Sequence, residues 1–304
     1  MAPRTREGYD RAWRQWEEWI EFVKKEEPDA DAYAPTTDMY CCFAHDLLYT
    51  RTPGTVESIL RRINTVAKER VGRKLREEPY ALLLERTFAT AAKHIVGGQK
   101  KQRRPLTIDI LLKIRPLFDF TTHDDRALWA ILCLGVFALA RIGELTPGPK
   151  TELKVTIGSV TIRGDHGKLF LVGTKTDRKK EGTTLHFFRN NTDCCPVTAM
   201  RAYLTGLKRS NAKSPLFADS KGNRLPQTWV VQRMRKFLTR IGLKGAEYSG
   251  ISLRRGGAQM LLRLHASDKI IMGMGRWKSA CFRRYLKVEE EDIKMWQRRM
   301  AVAE

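Results

Sequence analysis

Apolar residues recur every three or four positions over residues 5–25. Tyr9, Trp13, Trp16, Ile20 and Val23 share one face, and most other positions are charged or polar. This spacing predicts an amphipathic helix with one buried stripe, closed by Pro28 and the Asp/Ala stretch after it. Thr37–Asp38 can cap a second helix with Tyr40, Phe43, Leu47 and Leu48 turned inward. Pro53–Gly54 reads as its break, and Thr55 as the cap of a third helix whose face is Ile59, Ile63 and Val66. A fourth helix is expected from about Pro79 to Val96, apolar at Leu82, Leu83, Phe88 and Ala92. Four helices with short connections make a compact helical unit over residues 1–98.

Residues 99–105 follow Gly97–Gly98 and read as a flexible basic linker, with Lys100, Lys101, Arg103 and Arg104 able to track a phosphate backbone. The same run is a weak match to a nuclear import signal. A second domain over 106–304 opens with a helix that the Thr107 hydroxyl can cap. A helix apolar on nearly all sides follows from Asp124 to about Arg141, so that Arg141 is expected at the end of a core helix with Glu144 one turn on. The period then falls to two. Residues 153–157, 159–163, 168–172 and 183–188 read as strands of a small antiparallel sheet. The turn between the last two carries four cations, Lys175, Arg178, Lys179 and Lys180, which is unusual for a plain turn. The remainder is helical: one helix from Pro196, one over 226–241, one over about 251–264 with Ser252 as cap and Arg254 in its first turn, and a short one from Ser267. Glu289 to Ala301 is an amphipathic terminal segment suited to packing on its own domain or on a neighbour. The fold class expected is mainly α with a small antiparallel β-sheet, an α+β arrangement.

Composition narrows the partners. Lys and Arg number 56 against 34 Asp and Glu, a net charge of +22 spread along the whole 304 residues. Such an excess points to a polyanion, DNA or RNA before a membrane surface, because no basic amphipathic helix stands apart from the globular pattern. No apolar run reaches membrane-spanning length, and the first residues lack the apolar core of a signal peptide. The six Cys include no C-x-x-C, and His186 with Cys194 and Cys195 has no standard zinc spacing, so reduced thiols in an intracellular protein are expected and no metal site.

Candidate chemistry gathers near the C-terminus. Tyr285 follows Arg283 and Arg284, and Trp277 lies eight residues upstream. Nearby positive charge favours a phenolate, which can attack a phosphodiester covalently. An ordinary amphipathic aromatic on a basic helix fits the same stretch. Arg141 needs an anionic partner, which is either Glu144 or a phosphate. Arg61, Arg62, Lys68, Arg70, Arg73 and Lys74 are either a solvated helix face or phosphate contacts. Arg178, Lys179, Arg255, Arg276 and Lys278 are further candidates for DNA contact, alongside the four linker cations.

Taken in order, Ala140–Leu145 (A-R-I-G-E-L), Thr174-Lys175-Thr176, Arg254, Trp277 and Tyr285 resemble the tyrosine recombinase family, or phage-type integrases. The phrase G-R-W-K-S, followed by an aromatic and R-Y-L, looks most like recombinases of eukaryotic mobile elements such as the Crypton and DIRS groups. The resemblance is strong over the catalytic half and rests on helical character alone over the first hundred residues. It implies a helical core-binding domain and a catalytic domain forming a C-shaped clamp on duplex DNA. It implies Tyr285 as nucleophile, Arg141 and Arg254 as phosphate clamps, Lys175 as the acid for the leaving oxygen, Trp277 beneath the site and Glu144 orienting Arg141. It further implies no cofactor and no metal, a dimer on each DNA site, a tetramer on two, and a C-terminal helix docking in trans. The protein would then be DNA-associated, and nuclear if eukaryotic. One position departs: the family's H-x-x-R would put His where this chain has Ile251. That leaves open a DNA-binding relative that has lost catalysis, and a type IB topoisomerase would use similar chemistry on a single duplex.

Overall fold

The computed structural model describes residues 3–72, 75, 103–146, 155–172, 181–207, 211–279, 282, 283, 286, 294 and 297. The helix expected over 79–96, the linker residues Lys100 and Lys101, the hairpin tip with Lys175, Arg178 and Lys179, the nucleophile candidate Tyr285 and most of the terminal segment lie outside those residues. Contacts divide the chain into two units, Met1–Lys100 and Lys101–Glu304.

In the first unit, α1 (Pro3–Val23), α2 (Thr37–Thr50) and α3 (Pro53–Val71) bury the faces their spacing defines. Trp13, Trp16, Ile20, Tyr40, Phe43, Leu47, Ile59, Ile63 and Val66 form the core, and Tyr9, Val23 and Leu48 pack at its edge. Trp16 meets Phe43 edge to face with ring centroids 5.0 Å apart. The caps differ from expectation. Thr36, not Thr37 or Asp38, caps α2, its hydroxyl accepting from the Met39 N–H at 3.2 Å. Thr52 occupies the N-cap of α3 and Pro53 its first turn. Pro53 therefore starts a helix instead of only breaking one, because its missing N–H falls where no intrahelical partner exists. Thr55 lies inside the helix.

The second unit is built around α5 (His123–Phe137), in which every residue from Ala127 to Val136 is buried. Before it stand α4 (Ile108–Ile114) and a 3₁₀ turn at Arg115–Leu117. Thr107 holds the N-cap position of α4 without its hydroxyl bonding there. Thr122 does cap α5, accepting from the Asp125 N–H. A three-stranded antiparallel sheet, β1 (Val160–Arg163), β2 (His166–Leu171) and β3 (Thr183–Phe188), pairs in that order with Leu169 opposite both Val160 and Leu185. Leu169, Leu171, Leu185 and Phe187 face the core. The strand expected over 153–157 is absent from the described part: Thr156 makes one isolated bridge to Pro215, and the chain enters a 3₁₀ turn at Ile157–Ser159, closed by the Thr156 N–H donating to the Ser159 hydroxyl. Leu153 and Lys154 are outside the described residues.

Two helix ends set the positions of the arginines singled out in the sequence. α5 stops at Phe137, four residues before Arg141, because Leu139 takes a left-handed backbone with φ of 49°. Arg141 consequently sits at the N-cap of a new short helix, α6 (Ile142–Leu145), and not at the end of the core helix. Beyond the sheet come α7 (Pro196–Thr205), α8 (Gln227–Arg240), α9 (Gly250–Arg263) and α10 (Asp268–Gly275). Pro196 opens α7, as a residue without an N–H suits. Ser249 is the cap of α9, with Ser252 completing a capping box by accepting from the Ser249 N–H at 2.9 Å. Arg254 is thus the fifth residue of α9 and lies beyond its first turn. Gly256 and Gly257 let α9 wedge between the 103–106 segment and α5, since a Cβ on either would overlap the carbonyl of Leu106 or of Val136.

Candidate active site

Arg254 is 1% exposed. A buried guanidinium demands hydrogen-bond partners for its donors, and here main-chain carbonyls supply them. Nη1 donates to the Leu139 carbonyl at 2.9 Å, and Nη2 donates to the Gly275 carbonyl. Both carbonyls belong to helix ends: Leu139 just past α5, and Gly275 the last residue of α10. The negative ends of two helix dipoles therefore converge on one positive side chain. Trp277, 7% exposed, lies face-on beneath it, with the guanidinium carbon 4.3 Å from the ring centroid. Gly275 is required at its position, because a Cβ there would overlap the Trp277 ring.

Arg141 is held differently. Its backbone N–H donates to Glu144 Oε2 at 2.9 Å and its Nη1 to Glu144 Oε1 at 2.6 Å, so both oxygens of the carboxylate one turn on hold the residue that starts helix α6. Glu144 is 4% exposed, whereas the Arg141 side chain keeps 31% of its surface open to solvent. Arg141 is thus tied to Glu144, the first of its two expected partners, and keeps an open edge.

Arg276 adds a third guanidinium. Its Nη2 donates to Glu144 Oε2 at 2.7 Å, and its side chain is only 15% exposed. Burial lowers the pKa of this guanidinium; the Glu144 carboxylate opposes that shift and the Arg141 charge adds to it. The sequence suggests Arg276 as a DNA contact, and it lies instead inside the cluster. Arg141 and Arg276 share the one carboxylate of Glu144, and Arg254 is held by the carbonyls of Leu139, two residues before Arg141, and of Gly275, next to Arg276, so the three guanidiniums outnumber the carboxylate and the site carries excess positive charge. Such a site favours an anion with several oxygens, as a phosphodiester has.

The other expected residues are scattered. Ile251 is the second residue of α9 and is 46% exposed, an apolar group at the position where the resemblance calls for His. Arg255 is 8% exposed and donates Nη1 to the Arg103 carbonyl at 2.6 Å, so it stitches the start of the unit. Arg103 and Arg104, expected in a loose linker, are fastened too: the Arg104 N–H donates to the Glu247 carbonyl at 3.0 Å, the Arg104 side chain pairs with Glu247 at 2.8 Å, and Arg103 Nη1 donates to the Ala246 carbonyl. Both side chains remain exposed. Lys278 is exposed. In the first unit Arg61 is exposed and pairs with Glu57 one turn earlier at 2.7 Å, Arg62 is half-buried, and Arg70 lies over the Trp13 ring.

Sequence reasoning missed the role of Arg276 and the carbonyls that hold Arg254. One signal for the first was available: α10 ends at Gly275 and the next residue, where left-handed Gly is usual, is Arg. Carbonyls carry no residue-type signal at all.

No family model and no curated protein matches the sequence. Solved structures match the fold. XerH site-specific recombinase, bound to palindromic difH substrate in a post-cleavage complex, aligns with a TM-score of 0.62 at 12% identity over 93% of this chain and 76% of that one. The Tn1549 transposon integrase in complex with transposon right end DNA aligns with a TM-score of 0.61 at 12% identity, over 99% and 95% of the two chains. A lambda integrase dimer bound to a COC' core site gives a TM-score of 0.59 at 15% identity, over 92% and 76%. At this identity the likeness is one of fold. The chain has the mostly helical fold, with a small three-stranded antiparallel sheet, of tyrosine recombinase catalytic domains.

Proposed function

We propose that this chain is a DNA recombinase that cuts and rejoins duplex DNA through a covalent phosphotyrosine. The observation that carries the reading is the arginine cluster, set in a recombinase fold, in which Arg141 and Arg276 share the Glu144 carboxylate and Arg254 is held by the neighbouring Leu139 and Gly275 carbonyls. Tyr285 attacks the scissile phosphorus as the phenolate, its proton already lost to solvent under the surrounding positive charge; a new P–O bond forms to its oxygen, and the bond to the 5′ oxygen breaks. Lys175 gives the departing oxygen its proton. Arg141 and Arg254 stabilise the charge that builds on the nonbridging oxygens, which fork-shaped donors do well. The energy of the phosphodiester stays in the covalent link, so rejoining needs only the reverse attack by a 5′ hydroxyl. Duplex DNA is the partner, bound by a dimer on each site and a tetramer on two, and a mobile element's integrase or transposase is the setting that the G-R-W-K-S phrase favours.

The exposed Ile251 supports a second reading, a relative that binds DNA and no longer cuts it. One experiment separates the two. The protein is incubated in EDTA with a pool of nicked duplexes and run on a denaturing gel. The expected result is a covalent adduct that is absent from Tyr285→Phe, with duplex affinity of that variant within about twofold of wild type, and reduced roughly a hundredfold or more in Arg141→Ala. Salt-sensitive binding without any adduct would establish the second reading. Relaxation of supercoiled plasmid without joined recombinants would establish a topoisomerase instead.

A further inference from the structure

We infer that Arg276 is a positioning residue for the phosphate site, acting through Glu144 on Arg141; the inference rests on the recombinase reading. Arg276 stands at the C-terminal end of α10 with φ of 55° and ψ of 42°, a left-handed backbone that a side chain disfavours. Its Nε and Nη1 are buried without a hydrogen-bond partner among the described residues. Each of these is a cost to stability, and a glycine at the position would remove both. Against those costs stands the contact of Nη2 with Glu144 Oε2 at 2.7 Å. That oxygen also accepts the Arg141 backbone N–H, while the other oxygen accepts Arg141 Nη1. With Arg276 in place, the carboxylate is held from both sides and the Arg141 head is fixed in one orientation.

The neighbours of Arg276 make the arrangement specific. Gly275, immediately before it, lends its carbonyl to Arg254, and Trp277, immediately after it, lies under the Arg254 guanidinium. The tripeptide Gly275-Arg276-Trp277 therefore sets both arginines that the recombinase reading assigns to the phosphate: Arg254 directly, Arg141 by way of Glu144. A rigid chain of this kind fixes the spacing between two guanidiniums, which the transition state of phosphoryl transfer requires more stringently than simple binding does.

The test compares Arg276→Gly, Arg276→Lys, Glu144→Gln and the Glu144→Gln/Arg276→Gly double variant with wild type, all in the full chain. Adduct formation with the nicked-duplex pool, affinity for the same duplexes and melting temperature are each measured. Arg276→Gly is expected to form adduct roughly ten- to a hundredfold more slowly, with affinity within about twofold and a melting temperature equal to wild type or higher, since glycine accepts the left-handed backbone. Arg276→Lys, which keeps the charge with a single ammonium head, should recover part of the rate. In the Glu144→Gln background, removing Arg276 should cost little more, because the two residues act in series. An Arg276→Gly rate within about twofold of wild type overturns the inference and leaves the recombinase reading standing. So does a fall in rate accompanied by an equal fall in affinity, which marks a direct DNA contact, or by a fall in melting temperature, which marks a purely structural part. Wild type without any adduct overturns the recombinase reading and this inference together.

Discussion

The Arg254 guanidinium closes two helix ends at once, and that geometry gives it a structural duty separate from any phosphate contact. Arg254→Ala would strip a partner from the Leu139 and Gly275 carbonyls and open a void over the Trp277 ring. The expected loss is about 3–5 kcal/mol of unfolding free energy, read as a shift in the urea midpoint. Arg254→Lys keeps the charge, but one ammonium on a flexible stem does not reproduce the fork that reaches both carbonyls, and its loss should be intermediate. An inactive Arg254 variant therefore says little about chemistry until its folding has been measured. Tyr203 offers a second test at this scale. Its hydroxyl donates to the Leu216 carbonyl at 2.9 Å and accepts the Ala218 N–H. Burial, the main cause, with Asp124 adding and the Ala218 bond opposing, pushes the phenol up to about 12. A phenol whose folded pKa lies above its unfolded value of about 10 stabilises the fold fully below that value and loses the contribution as pH climbs to about 12. Stability should fall by up to about 2–3 kcal/mol over that window, and Tyr203→Phe should flatten the fall while lowering stability at neutral pH. The Arg141–Glu144 pair was legible in the sequence because it is a local spacing of three on one helix turn. The holders of Arg254 were not, because they are carbonyls 115 and 21 residues away.

Elements were legible where one face is apolar and the period is regular. The stripes of α1, α2 and α3 follow from Trp13, Phe43 and Ile63 and their neighbours at helical spacing, and the inward residues of β2 and β3 from alternation. Boundaries were less so. Thr36, Thr37 and Asp38 are three capping residues in a row, and only geometry decides that the Thr36 hydroxyl reaches the Met39 N–H. The apolar pattern runs past the end of α5 because Ala138, Leu139 and Ala140 continue it, and a left-handed leucine has no signature in sequence. The pair Gly256-Gly257, by contrast, marks a close approach of backbone to backbone. Gly256→Ala should destabilise the fold by several kcal/mol, since the methyl meets the Leu106 carbonyl and cannot move aside. Thermal unfolding measures this, and a change below about 1 kcal/mol would show that α9 can shift off the 103–106 segment.

At the scale of the whole molecule the net charge of +22 is the dominant property. On the recombinase reading, a protein that neutralises roughly six to ten phosphates should lose roughly a thousandfold or more in duplex affinity between about 50 and 200 mM salt. Titrating a labelled duplex at several salt concentrations gives the slope, and a shallow one would remove DNA as the partner that the charge serves. The arginine cluster also ties distant parts of the chain together. The Leu139–Glu144 segment, Arg254 and the 275–277 tripeptide meet across separations of up to 132 residues. Contacts that close such long loops are among the last to form in folding. On the recombinase reading, a polypeptide still leaving the ribosome holds Arg141 and Arg254 without the tripeptide that aligns them, and without Tyr285 beyond it. Strand-cutting ability then arrives only once residues 275–285 have joined the fold, and no earlier stretch of the chain can cut DNA by itself.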